Sequence, residues 1–181
     1  ILSEVSHTLQ GSGVKISSQN VCWEEKGAFT GEIAPSMIKD AGGSIAIVGH
    51  SERRQIFGES DDMINDRVKG GLTGGLQIIL CIGETLEERE NEKTFEVLED
   101  QIRKGLDGVS AQQMEDLVVA YEPVWAIGTG KTASKEQAQE AHLFIRKLIV
   151  EIYEKNVADR LRILYGGSVK PTNVDELMAQ P

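Results

Sequence analysis

Five short apolar runs, each leading into a polar or glycine-rich turn and then a helical pattern, leave few folds open to this chain. The runs are Val14 to Ser17, Ile45 to Val48, Gln77 to Ile82, Leu117 to Tyr121 and Leu161 to Tyr165. Most are continuously apolar rather than alternating, as strands covered on both faces are. Between them the spacing predicts amphipathic helices. Asp61 to Lys69 carries Met63, Ile64 and Val68 amid charge, and Phe95 to Leu106 places Phe95, Leu98, Ile102 and Leu106 on one face. Ser134 opens the longest helix, with Ala141, Phe144, Ile145, Leu148 and Ile149 inside, and Thr172 or Asn173 caps the last one. Repeated βα units with short connections mean an α/β fold with a parallel sheet, either doubly wound or closed into a barrel. Periodicity does not choose between them.

With 181 residues and 40% hydrophobic content, the chain can bury one substantial core, and no linker or low-complexity segment divides it. A net charge of -10 repels nucleic acid and anionic membranes, so neither is an expected partner. No apolar stretch is long enough to span a bilayer, and no signal peptide is visible. Cys22 and Cys81 have neither CxxC spacing nor a nearby histidine cluster, so no disulfide framework or metal site is expected. Cys81, inside an apolar run, reads as a small buried hydrophobe. A reducing, cytoplasmic setting fits.

Ligand sites in parallel α/β folds gather at the carboxyl ends of the strands. The fourth run ends in Glu122, followed by Pro123-Val124-Trp125-Ala126-Ile127-Gly128-Thr129-Gly130-Lys131. A segment with Pro and Trp at one end and Gly-Thr-Gly at the other has the form of a stiff-hinged lid. A carboxylate beneath it loses water and becomes a stronger base. The second run ends in His50, just before a short predicted helix whose N-terminus disfavours the imidazolium, so a neutral ring could donate a hydrogen bond to substrate. His7 and His142 read as surface or packing residues, and Arg53 and Arg54 as ion-pair partners. The fifth run ends in Gly166-Gly167-Ser168, a turn whose backbone N–H groups could hold a phosphate, with Gly128 and Gly130 adding amides. Two competing motifs fail. Gly128 to Ala133 matches GxGxxA, but Pro123 to Ile127 separate it from its strand and no acid follows for a ribose. Gly130-Lys131-Thr132 ends like a P-loop, but Trp125 stands where the first glycine belongs.

Taken together, these segments resemble the triosephosphate isomerases. His50-Ser51-Glu52-Arg53-Arg54 is similar to that family's electrophile segment. Tyr121 to Lys131 is similar to its general base and closing loop, and Tyr165-Gly166-Gly167-Ser168-Val169 to its phosphate loop. Cys81-Ile82-Gly83-Glu84 and Gly27-Ala28-Phe29-Thr30-Gly31-Glu32 match two further signatures, all in order from near Gln19 onward. The resemblance implies a TIM (β/α)8 barrel, here incomplete with about five βα units in one partial domain. It also implies interconversion of dihydroxyacetone phosphate and glyceraldehyde 3-phosphate without cofactor or metal. By that resemblance Glu122 moves the proton and His50 polarises the carbonyl. Gly128 and Ser168 contact the phosphate, while Ile127, Thr129 and Gly130 belong to the lid. Glu52 stands behind them, and Thr30 lies on a loop that enters the neighbouring subunit of a homodimer.

Segments matching the family's first strand, with its asparagine and lysine, and its last strand, with paired glycines, are not found. Five strands are expected where the family has eight, so the isolated polypeptide is expected to fold poorly and to be inactive. Two other readings compete: a different phosphate-binding barrel enzyme and a non-catalytic remnant. The first would want a Schiff-base lysine or paired acids at strand tips, and Lys15 lies within its run rather than at the tip. The intact His50 and Glu122 segments weigh against the second.

Overall fold

The computed structural model describes residues 1–127, 129 and 131–181. Five strands, β1 (Ser17–Ser18), β2 (Ile45–Val48), β3 (Gln77–Ile82), β4 (Leu117–Tyr121) and β5 (Arg162–Tyr165), form one parallel sheet in chain order. A doubly wound sheet reverses its order at a switch point. This sheet runs one way only, as an arc of a βα barrel does. The helices α1 (Leu2–Thr8), α2 (Pro35–Asp40), α3 (Ser51–Gln55), α4 (Asp61–Thr73), α5 (Leu86–Glu90), α6 (Thr94–Gly105), α7 (Lys135–Ile152), α8 (Lys155–Arg160) and α9 (Val174–Met178) flank and connect the strands.

Side chains set the helix boundaries. Ser60 accepts from the Met63 amide and caps α4. Thr85 with Glu88, and Ser134 with Gln137, form reciprocal capping boxes at the starts of α5 and α7. The strand register assigns the two sheet faces. Ala46, Val48, Ile78, Leu80, Ile82, Val119 and Tyr121 meet Ile64, Val68, Leu98, Ile102, Ile145 and Ile149 of α4, α6 and α7 in one buried core. Each such aliphatic side chain contributes roughly 1.5–3 kcal/mol by leaving water. On the opposite face Ile45, Ile47 and Ile79 are half-buried and Leu164 is exposed, so the concave side of the arc is incompletely covered.

Three local expectations are corrected. The first strand is Ser17–Ser18 rather than Val14 to Ser17. It has a neighbour on one side only, pairing begins at the Ile16 carbonyl, and Val14 is 59% exposed. Phe95 lies at the rim, stacked at 4.7 Å on Phe144, rather than in the core. Asn173 occupies the cap position of α9, but its side chain turns back to accept from the Lys170 amide (2.7 Å) and donate to the Ser168 carbonyl (3.1 Å).

Candidate active site

Glu122 is the first residue past β4. Its amide donates to the Ile82 carbonyl at 2.7 Å, and the Val124 amide donates to the Glu84 carbonyl at 3.1 Å, so the rails of β3 and β4 run on together into the site. Glycines on both flanks make room. A β-carbon at Gly83 would lie 1.8 Å from the Glu122 carbonyl oxygen, and one at Gly166 would lie 2.7 Å from Glu122 Cγ. Glu122 is only 8% exposed. Burial raises its carboxyl above the ordinary range, partly opposed by His50, the Cys81 thiol, the Ser51 amide and Arg54. Cys81 is buried as expected, and its thiol is also one of the groups that oppose the rise at Glu122. That influence crosses from β3 to the residue past β4, and no local pattern announces it.

His50 faces this carboxylate across 3.5 Å, from Nε2 to Glu122 Oε1. It sits where Gly49, at φ +75, turns the chain out of β2 into α3. The Glu52 amide donates to His50 Nδ1 at 3.2 Å. Nδ1 is thereby occupied as an acceptor, and Nε2, on the side of Glu122, is the ring nitrogen left to donate. Glu52 thus touches the imidazole through its backbone, while its own carboxylate is largely exposed. Arg53 pairs with Glu59 at 2.7 Å and Arg54 with Asp61 at 2.6 Å, which anchors the short helix behind the histidine.

The segment after Glu122 is pinned at its base. Glu84, 0% exposed, accepts from Trp125 Nε1 (2.8 Å), the Tyr121 hydroxyl (3.1 Å) and Arg89 (2.9 Å), and the Arg89 guanidinium lies over the Trp125 ring. Ile127 is half-buried. Thr129 is exposed and its hydroxyl donates to the Trp125 carbonyl at 2.7 Å. Gly128 and Gly130 lie outside the described residues. Ser168 stands past β5 at the same end of the sheet, its hydroxyl donating to the Ala126 carbonyl at 2.7 Å. The Gly166 amide is taken up by the Tyr121 carbonyl at 2.7 Å, so it is not a donor to an anion. Thr30 is exposed on the loop after β1, whose base is fixed by Trp23 against Phe29 and by Arg67 paired with Glu32 at 2.7 Å.

A family model described as triosephosphate isomerase matches residues 1–181. The chain belongs to the triosephosphate isomerase family. Among proteins named triosephosphate isomerase, that of Syntrophotalea carbinolica is 59% identical over 180 residues, covering 99% of this chain and 71% of the relative. Those of Geobacter metallireducens and Citrifermentans bemidjiense are each 56% identical over 181 residues, covering all of this chain and 72% of the relative. Membership of the triosephosphate isomerase family agrees with the one-way parallel sheet and with the strand-end location of His50 and Glu122. Among the described residues no helix is long and apolar enough to cross a membrane.

Proposed function

We propose that His50 and Glu122 interconvert dihydroxyacetone phosphate and glyceraldehyde 3-phosphate through an enediolate. The observation that carries the reading is the 3.5 Å approach of a buried carboxylate to His50 Nε2. Glu122 takes a proton from the carbon beside the carbonyl. His50 Nε2–H donates to the carbonyl oxygen and stabilises the negative charge that develops there. The hydroxyl proton of the deprotonated carbon passes to the former carbonyl oxygen by way of His50 Nε2, Glu122 returns its proton to the former carbonyl carbon, and the carbonyl has moved by one position. General acid–base transfer supplies about 10²–10⁴-fold. The remainder comes from donors set in place before reaction and from exclusion of water.

In this reading Ser168 and Gly128 bind the phosphate, and Ile127, Thr129 and Gly130 close over it. Glu52 orients His50 through its amide. Thr30 carries the loop that enters a second copy of the chain, giving a homodimer, and exposed Ile56, Phe57 and Met37 supply apolar surface for such a contact. A cytoplasmic location accords with the two free, buried cysteines. The test is a coupled isomerase assay on the chain completed to the length of its relatives, alongside Glu122→Asp and His50→Gln. If neither substitution lowers turnover, the assignment of roles is wrong.

A further inference from the structure

β3 loses its neighbour at the level of the site. The Gln77 amide donates to the Ser44 carbonyl, so alternate residues of β3, from Gln77 through Ile79 and Cys81 to Gly83, direct their peptide groups toward β2. The intervening residues face β4, as the Ile82 and Glu84 carbonyls show by accepting from Glu122 and Val124. β2 ends at Val48, because the chain turns away there to place His50. The β2-facing edge of β3 past that point would be left unpaired, and two side chains take the missing strand's place. Arg54 Nη2 donates to the Cys81 carbonyl at 3.4 Å. Gln101, from α6, takes both peptide groups of Gly83: its Oε1 accepts from the Gly83 amide at 2.8 Å and its Nε2 donates to the Gly83 carbonyl at 3.3 Å.

Gly83 is the residue whose backbone lies directly against the Glu122 carbonyl. We infer that Gln101 is a positioning residue for the catalytic base: by bonding both the N–H and the C=O of Gly83 it fixes the main chain against which the Glu122 backbone rests. This rests on the proposed role of Glu122. A cavity of about 230 Å³ lies on the same side, bounded by Gln101, Arg54, Ser51, Gly83 and Glu122. The Gln101 side chain therefore also limits the water that reaches the carboxylate, and burial is the main cause of its raised pKa. An amide is the side chain that suits the task. It matches the donor–acceptor pair of a peptide without adding charge beside Glu122.

The experiment uses the chain completed to the relatives' length, with Gln101→Met, which keeps bulk and removes both bonds, and Gln101→Glu, which keeps only the acceptor. Gln101→Met is expected to lower kcat roughly 10- to 100-fold, with KM changed less than threefold. It should move the acid limb of the kcat/KM profile to lower pH and speed hydrogen exchange at the Gly83 amide at least tenfold while β1 and β2 keep their protection. Gln101→Glu should keep the Gly83 amide protected and still lose kcat. Wild-type kcat and an unshifted acid limb in either variant overturn the inference, as does an unchanged Gly83 exchange rate in Gln101→Met. Should Gln101→Met unfold, Gln101→Glu alone decides the matter. Absence of turnover in the parent chain would sink the proposed function, and the exchange measurement would still judge the clasp.

Discussion

A carboxylate that removes a proton from carbon must be a better base than glutamate in water, and burial makes Glu122 one. The acid limb of kcat/KM should therefore lie above the ordinary carboxylate value of 4.5. The same shift has a consequence for stability. The folded chain holds the Glu122 proton more tightly than the unfolded chain does. Its favourable contribution is thus complete below the unfolded pKa and is lost as pH rises through the folded one. Glu122→Gln, neutral throughout, should be more stable than the parent at pH 7 and lose that advantage near pH 4, as denaturant titrations at the two values would show. His142 works in the opposite sense. Burial and the charge of Arg146 hold its pKa below 6.5. The stability it contributes is present above the unfolded value and disappears as pH falls through the folded one. His142→Phe should flatten the loss of stability between neutral and mildly acid pH.

At the scale of elements, close packing at strand ends makes small changes costly. Gly83→Ala would set a methyl 1.8 Å from the Glu122 carbonyl, so the two rails must part. It should cost about 1–3 kcal/mol and reduce kcat, measured by urea melts and the coupled assay. Arg67 is buried between Glu32 and Glu59, at 2.7 and 3.1 Å, with its guanidinium over Trp23. Arg67→Met leaves Glu32 without this cation and Glu59 with Arg53 alone, and should cost about 3–5 kcal/mol. The bounds of β2, β3 and β4 were legible because each strand is apolar on both of its faces. β1 was misplaced because an edge strand needs no such run. His50, Glu122 and Ser168 were legible as strand-tip residues. The roles of Gly83, Cys81 and Gln101 were not, because each acts on Glu122 from another element. No periodicity encodes a glycine's closeness to a carbonyl at the end of the next strand.

The five strands form an arc whose outer members are β1 and β5, with a concave face on which Ile45, Ile47, Ile79 and Leu164 are partly bare. Net stability of a domain is only about 5–15 kcal/mol, so a handful of uncovered aliphatic groups weighs heavily. The 181-residue polypeptide alone should bind a hydrophobic dye and melt without cooperativity, while the chain completed to the relatives' length should do neither. A cooperative, dye-free melt of the shorter chain would show that the arc is self-sufficient.

The central claim, that Glu122 carries a proton by way of an enediolate, is tested most directly by running the isomerisation of the completed chain in deuterated water and examining the product by NMR. Solvent deuterium should enter at the carbon that receives the proton, and Glu122→Gln should abolish turnover and incorporation together. Product formed at full rate without deuterium, or undiminished incorporation in Glu122→Gln, would contradict it.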